Sequence, residues 1–207
     1  MAPARLRLKV PNDWTVDEHG NIGAHNRWPW EKTGRIHVLA TNNVPSHRPP
    51  EVAVTIRSLM EEFALPVEVF MDGDSERCQQ VLKCIHNVKN GKVLDVNRLV
   101  ERLNNQRRSG VVGLRPGLVI LVSPNDFDPF GRPGENERGI YGESHADGVC
   151  VLRCYHEEAV RHELAHMLGL GEHCHSQNCV MRWECPTLTF CPLCVAKIER
   201  ICQIESA

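Results

Sequence analysis

Leu118-Val119-Ile120-Leu121-Val122 is an uninterrupted apolar run within a chain of 207 residues. Short runs that combine leucine with β-branched residues are typical of strands that are buried on both faces. Such strands occur in parallel sheets covered by helices on each side. We therefore expect this run to be a central strand of the fold.

Strand and helix patterns alternate on either side of this run. Strands are predicted at residues 35–41, 66–71 and 149–155, the last of them as a candidate edge strand, and an alternating pattern at residues 1–10 predicts a first strand. Apolar residues at helical spacing predict helices at residues 51–63, 75–89, 95–106, 157–170 and 187–203. This order predicts an α/β fold with a twisted, mostly parallel mixed sheet.

Composition and charge exclude several functional classes. The formal net charge is -2, which gives no electrostatic reason to expect a nucleic-acid or membrane partner. No apolar stretch has the length of a membrane span, and the first residues lack the apolar core of a secretory signal. We expect a cytoplasmic monomer with one domain over residues 1–207.

A metal-binding pattern lies on the predicted helix at 157–170. His162-Glu163-Leu164-Ala165-His166 is an H-E-x-x-H sequence, and residues four apart share one face of a helix. Both imidazoles can therefore bind one zinc ion, while Glu163 can take a proton from the water that zinc acidifies. We predict a catalytic zinc site with His162 and His166 as ligands and Glu163 as general base. A histidine pair buried without metal is the competing interpretation, and it leaves three polar groups to be satisfied.

A catalytic zinc requires a third protein ligand and an open position. The predicted helix ends near Gly169, and both Gly169 and Gly171 can adopt the positive φ angles that turn a chain back on itself. Glu172 and His173 follow directly. We expect His173 to be the third ligand, with Glu172 as the less favoured alternative, because carboxylates also bind zinc.

The chain has 10 cysteines, many for its length, and most lie in its last part. Without a secretory signal, reduced thiols and metal ligation are favoured over disulfides. Cys174 and Cys179, with the C-x-x-C pair Cys191 and Cys194, can supply four thiolates to a structural zinc closed to water. Cys185 is a fifth candidate, and a redox C-x-x-C is the main alternative. Four others lie in apolar context and are expected to be inert buried thiols: Cys78, Cys84, Cys150 and Cys154.

These motifs together resemble one family. The pattern His162-Glu163-x-x-His166-x-x-Gly169, His173-Cys174, Cys179-Val180-Met181 and Cys191-x-x-Cys194 is similar to that of the archaemetzincins. These are metzincin-clan metallopeptidases with an additional four-cysteine zinc site. The match is dense over residues 162–194 and looser over most of the chain.

The resemblance implies a metzincin-like zincin fold, with the active-site helix below the cleft. It implies two zinc ions, one catalytic and one structural, and a peptide or protein substrate. It also implies that Met181 is the Met-turn residue beneath the zinc histidines, where a thioether packs adaptably. Residues 1–170 would form an upper subdomain with the active-site helix, and residues 171–207 a small C-terminal subdomain with the cysteine site.

Two features depart from the family pattern. Metzincins place the third histidine three residues after the glycine, where this chain has Glu172, and we interpret His173 as displaced by one inserted residue. The span from Met181 to Cys191 is shorter than is usual in the family. This difference leaves the geometry of the Met-turn and the role of Cys185 open.

Other polar residues near the motif have weaker interpretations. The segment 141–150 is a candidate edge strand for binding a peptide. Tyr141 and Tyr155 could stabilise an oxyanion, although packing roles are favoured for both. Arg161 is expected to be a solvated charge. The neighbouring histidines are expected to lie at the surface, behind the ligands or along the groove: His145, His156 and His175.

Three hypotheses of function follow. The first is a peptidase that uses zinc-activated water, with Glu163 as base and then as acid toward the leaving amine. The second is a catalytically weak or latent module that binds zinc and peptide. The third is an interaction protein that zinc merely stabilises. Retention of Glu163 favours the first, because a binding site has no use for a base there.

Overall fold

The computed structural model describes most of the chain after residue 33, in these ranges: 34–71, 76–90, 93–108, 117–123, 142–145, 148–153, 155–171, 173–182 and 187–201. The strand expected at residues 1–10 lies outside them.

Of the strands among the described residues, five form the main sheet and two form a small antiparallel pair. In chain order the strands are β1 (Arg35–Ala40), β2 (Glu68–Met71), β3 (Lys89–Asn90), β4 (Val93–Leu94), β5 (Leu118–Leu121), β6 (Gly142–His145) and β7 (Val149–Leu152). The main sheet has the order β2-β1-β5-β7-β6. Its first four strands are parallel, and β6 runs antiparallel to β7. The predicted mostly parallel mixed sheet is confirmed, with the apolar run as its central strand.

The prediction that 149–155 is an edge strand is wrong. The strand ends at Leu152, and it pairs with β5 on one side and with β6 on the other. Within the described residues the edge is β6, which lies in the segment 141–150 predicted as a candidate edge strand. Its sequence Gly-Glu-Ser-His lacks the alternating apolar residues that reveal a strand. All four residues of β7 are buried, as expected for a strand paired on both sides.

Five helices are described. They are α1 (Arg48–Glu62), α2 (Glu76–Val88), α3 (Val96–Arg108), α4 (Glu157–Met167) and α5 (Pro192–Ile201). The last begins five residues later than predicted, at Pro192, because proline suits a first helical position, where its missing N–H is not needed. Asp95 begins α3 in the expected way, since its Oδ1 accepts a hydrogen bond from the Arg98 N–H at 2.9 Å. Among the described helices, none is long and apolar enough to cross a bilayer.

The sheet separates two hydrophobic cores. In β5, Val119 and Leu121 face one core and Leu118 and Ile120 face the other. The first core is completed by α1, α4 and residues of the C-terminal part, and the second by α2 and α3. Helices on both faces explain why the strands are apolar throughout. The proposed division of the chain at residue 170 stays a prediction.

Arg161 on α4 is not the solvated charge that was expected. It is 5% exposed, and its guanidinium group donates a hydrogen bond to the carboxylate of Glu62 on α1. It also lies 5.5 Å from the ring centroid of Phe190. The cause is that α4 is buried over nearly its whole circumference, so a charge on its outer side still meets a neighbouring helix.

Helices α1 and α4 end in the same hydrogen-bonded turn but with different residues. After α1, Leu65 N–H donates to Met60 O and Ala64 N–H to Glu61 O. After α4, Gly169 occupies the position of Ala64 in the same pair of bonds. The φ angle is 53° at Ala64 and 104° at Gly169. Alanine is strained in this left-handed region, whereas glycine is not.

We predict that Ala64→Gly raises the free energy of unfolding by about 0.5–1 kcal/mol. The strain of a left-handed alanine, about 1–2 kcal/mol, exceeds the extra chain entropy that glycine loses on folding. Denaturant unfolding measures the change. The reciprocal variant Gly169→Ala is the control and is expected to lower stability. A destabilised Ala64→Gly would contradict the assignment.

Candidate functional site

Three histidine rings surround one point beside α4. His162 and His166 lie one turn apart on the helix, and His173 approaches from the segment that follows it. The ring centroids of His162 and His166 are 4.8 Å apart. The ring centroid of His173 lies 5.1 Å from that of His162 and 5.0 Å from that of His166. One ligand atom from each ring lies within 4.8 Å of the others. The histidines therefore form a cluster that can hold one metal ion.

Hydrogen bonds set the tautomers of the two helical histidines. His162 Nδ1 donates to the Val180 carbonyl at 2.7 Å, and His166 Nδ1 donates to the Leu170 carbonyl. Carbonyl oxygens only accept, so in each neutral ring Nδ1 carries the proton and Nε2 carries a lone pair. The two Nε2 atoms lie 3.2 Å apart. With no proton between them they cannot hydrogen-bond to each other, and a shared cation fits the arrangement better. Two nitrogens on one tetrahedral zinc would lie about 3.3 Å apart.

Burial keeps these rings neutral. It lowers the pKa of His162, where the nearby His173 ring acts in the same direction. It lowers the pKa of His166 to about 4, with His162 as the second cause. It also lowers the pKa of His173, which lies at the exposed side of the cluster. Neutral imidazole is the form that binds metal, so all three rings suit ligation near neutral pH.

The turn after α4 brings the chain back to the histidines. Gly169 adopts the expected positive φ, and the turn places the Leu170 carbonyl against His166. Gly171 does not adopt a positive φ, so that expectation is wrong. A single left-handed residue at the helix end is enough to reverse the chain.

Glu163 is buried between α4 and the edge strand β6. Its side chain is directed at Ser144, whose Oγ lies 2.8 Å from Glu163 Oε2 and 2.9 Å from the Glu163 carbonyl oxygen. A Cβ on Gly142 would lie 2.6 Å from Glu163 Cγ, closer than real contacts allow. Glu163 is 7% exposed, and it directly follows His162 in the sequence. A buried carboxylate next to a metal-ligand cluster can act as a general base.

Sequence reasoning did not identify Ser144. Ser144 and Gly142 lie in the segment 141–150, which was predicted only as a candidate edge strand for a peptide. A glycine inside a strand often marks the close approach of another part of the fold, and here that part is Glu163.

Four thiols form the second cluster, near the start of α5. Cys174 Sγ lies 3.6 Å from Cys191 Sγ, and Cys179 Sγ lies 3.7 Å from Cys194 Sγ. All four sulfur atoms lie within 4.8 Å of one another. Sulfur atoms 2.3 Å from a tetrahedral zinc would be separated by about 3.8 Å. The donor set and its spacing therefore fit a closed Cys₄ metal site.

The protonation of these thiols also fits a cation at their centre. Burial raises the pKa of Cys179 and of Cys194. Burial acts in the same direction at Cys191, but hydrogen bonds from Cys194 N–H and the neighbouring thiols outweigh it and lower the pKa of Cys191 to about 7. Cys191 therefore loses its proton readily, whereas Cys179 and Cys194 resist the loss of theirs. A central divalent cation removes that resistance, because it deprotonates coordinating thiols outright.

The two clusters are joined through the backbone. His173 directly precedes Cys174, and Val180, whose carbonyl accepts from His162, directly follows Cys179. Cys174 N–H donates to the Met181 carbonyl at 2.8 Å, which closes this segment into a loop. Met181 is fully buried. Its role as the Met-turn residue stays a prediction.

The structure also shows the positions of several other residues that the sequence analysis named. Tyr155 donates its hydroxyl proton to the Val122 carbonyl at 2.6 Å, which supports the packing interpretation rather than the oxyanion role. His156 and His175 are exposed, and neither belongs to the two clusters. Cys84 and Cys150 are buried, and burial raises the pKa of Cys150 far enough to keep its thiol neutral. The remaining predictions concern residues or side chains outside the described parts: Tyr141, His145, Glu172, Cys185, Cys78 and Cys154.

Comparisons with known proteins bear on the fold. No protein-family model matches the chain, and no curated protein matches it. Among solved structures, the chain is similar to the crystal structure of archaemetzincin from Methanopyrus kandleri, with a TM-score of 0.53 and 20% sequence identity. The match covers 80% of this chain and 93% of that chain. This protein therefore has the archaemetzincin fold, as the resemblance of its motifs implied.

Proposed function

We propose that the protein is a zinc-dependent metallopeptidase of the archaemetzincin type. His162, His166 and His173 would hold the catalytic zinc, and Glu163 would act as general base. One observation carries the proposal: three neutral imidazoles converge on one point, and a buried carboxylate is the neighbour of the first on the same helix.

The chemistry divides between the metal and the chain. A zinc ion, when bound, polarises a carbonyl and acidifies a water. Glu163 takes the proton of the attacking water at its carboxylate, so that the water oxygen adds to the amide carbon. Glu163 then gives that proton to the leaving nitrogen as the C–N bond breaks. Glu163 is largely buried, which strengthens the electrostatic interactions of its carboxylate.

An extended peptide is the substrate that fits the surroundings of Glu163. Within the described sheet, β6 pairs only with β7, so its other edge can accept a further strand. The same strand contacts Glu163 through Gly142 and Ser144. A peptide added along β6 would pass beside both the base and the histidine cluster.

A second zinc on the four thiolates would be structural. Four sulfur ligands close the coordination shell, which leaves no position for water or substrate. Its contribution is to fold the segment that supplies His173 and the Val180 carbonyl. Met181 would pack beneath the histidines as the Met-turn residue.

We predict that Glu163→Gln lowers peptide hydrolysis by about 10²–10⁴-fold, because the amide cannot accept the proton. Zinc-loaded protein is assayed with a mixed peptide library and mass spectrometry, and zinc content is measured in parallel. Glu157→Gln, an exposed change on the first turn of α4, is the control and is expected to keep full activity.

Equal activity of wild type and Glu163→Gln would refute the catalytic role. A fully zinc-loaded wild type that binds peptides without cleaving them would instead support the latent binding module.

We predict that Cys194→Ala removes one of two zinc equivalents and lowers Tm by about 10 °C or more, since a structural zinc contributes several kcal/mol to folding. Elemental analysis and thermal melting with and without chelator measure both effects. Cys84→Ala, which removes a buried thiol from the other core, is the matched control and is expected to keep both zinc ions. An unchanged zinc content in Cys194→Ala would contradict the structural site.

A further inference from the structure

We propose that Ser144 is a positioning residue that fixes the carboxylate of Glu163 for proton transfer. The inference deepens the proposed function and rests on it. Ser144 belongs to a different part of the chain from the H-E-x-x-H helix and to neither candidate metal cluster.

The hydrogen bond has a defined direction. An ionised carboxylate only accepts, so the Ser144 hydroxyl is the donor to Glu163 Oε2 at 2.8 Å. The same hydroxyl lies 2.9 Å from the carbonyl oxygen of Glu163, which is a second acceptor for its single proton, and the charged carboxylate is the stronger acceptor of the two. A hydrogen bond to a charged acceptor is among the stronger kinds in proteins. Ser144 therefore holds one end of the Glu163 side chain.

The stem of Glu163 is held by the same strand. Gly142 and Ser144 are two residues apart in β6, so they lie on the same face of the sheet. At Gly142 an added Cβ would meet Glu163 Cγ at 2.6 Å and Cδ at 3.0 Å, so the stem packs directly on the strand backbone. The strand thus contacts the stem at Gly142 and the carboxylate at Ser144.

The sheet fixes the position of Ser144 in turn. Ser144 is the register partner of Cys150 in β7, and Cys150 is fully buried in the core shared with α4. The hydroxyl is consequently carried by a paired strand rather than by a loop. Groups held on regular elements are placed more accurately than groups held on loops.

This arrangement gives the two carboxylate oxygens different tasks. Oε2 accepts from Ser144, and Oε1 is the oxygen that takes the proton of the attacking water. A glutamate side chain rotates about several bonds, and a base that is already oriented does not have to be ordered during the reaction. Loss of the hydroxyl should therefore slow the chemical step and leave substrate binding unchanged.

A matched pair of variants isolates the hydroxyl. Ser144→Thr keeps it, whereas Ser144→Val has nearly the same shape and lacks it, and both residues suit a strand. We expect Ser144→Val and Ser144→Ala to lower kcat by roughly 10- to 100-fold with KM and zinc content unchanged. We expect Ser144→Thr to stay within about threefold of wild type, and Ser58→Ala, at an exposed position of α1, to have no effect.

A second measurement does not depend on catalysis. In zinc-loaded protein, the unfolding equilibria of Ser144→Ala, Glu163→Ala and the double variant form a cycle that measures their coupling. Ser144→Ala multiplies the unfolding equilibrium constant by some factor. We expect this factor to be smaller by about fivefold or more in the Glu163→Ala background than in the wild type.

The outcomes are distinguishable. Additive effects in the unfolding cycle would show that the contact contributes nothing and would overturn the inference. An active wild type whose Ser144→Val variant keeps its kcat would overturn the role of Ser144 alone. An inactive, fully zinc-loaded wild type would overturn the proposed function and the positioning role with it.

Discussion

The four-thiol cluster is the constraint on which the histidine site depends. Residues 173–182 form no helix or strand, so no regular hydrogen-bond ladder holds them in place. The cluster joins this segment to the start of α5 at two points, Cys174 and Cys179. The residue before the first point is His173, and the residue after the second provides the carbonyl that orients His162. A metal held at the thiols would replace secondary structure in this segment, as metals do in small irregular domains.

Helix α4 contains several buried polar side chains. His162 and Glu163 are each less than a tenth exposed, and the helix is otherwise packed in the first hydrophobic core. Burying such groups is costly unless each is hydrogen-bonded. His162 donates a hydrogen bond to the Val180 carbonyl, and His166 donates one to the Leu170 carbonyl. Glu163 accepts one from the Ser144 hydroxyl. Each group has a partner from outside the helix, so the three neighbouring segments specify the rotamers of the site.

Much of the fold could be predicted because its signals are local. Apolar runs and helical spacing located the main strands and helices within a few residues. The glycine after α4 also predicted the reversal that returns the chain to the histidines, since only a left-handed residue satisfies that turn. The prediction extended this reasoning to Gly171, although one such residue is enough. At the end of α1, Ala64 makes the same turn without any signal in the sequence.

The failures share a physical cause, which is that they depend on contacts between distant segments. A charged residue on a helix usually indicates a solvated face, but Arg161 meets Glu62 of α1, 99 residues away in the chain. The segment that contains β6 was predicted as a candidate edge strand, but its four residues lack apolar alternation, so its pairing with β7 and its contact with α4 could not be predicted from a local pattern. Ser144 could not be identified for the same reason, since its contact with Glu163 follows from the register of that pairing. Sequence motifs reveal residues that share a local pattern, and they do not reveal residues that the sheet brings together.

The proposed ligands and the proposed base are consequently supported by different parts of the molecule. The three histidines are oriented by the continuous segment after α4, from the Leu170 carbonyl to the thiol cluster. Glu163 is contacted by β6, which precedes the helix and belongs to the sheet. A peptide that adds to β6 would form its hydrogen bonds with the strand that also holds Glu163, and would restrain that strand in doing so. Substrate binding and orientation of the proposed base would then depend on the same strand, whereas metal binding would depend on α4 and on the segment that follows it.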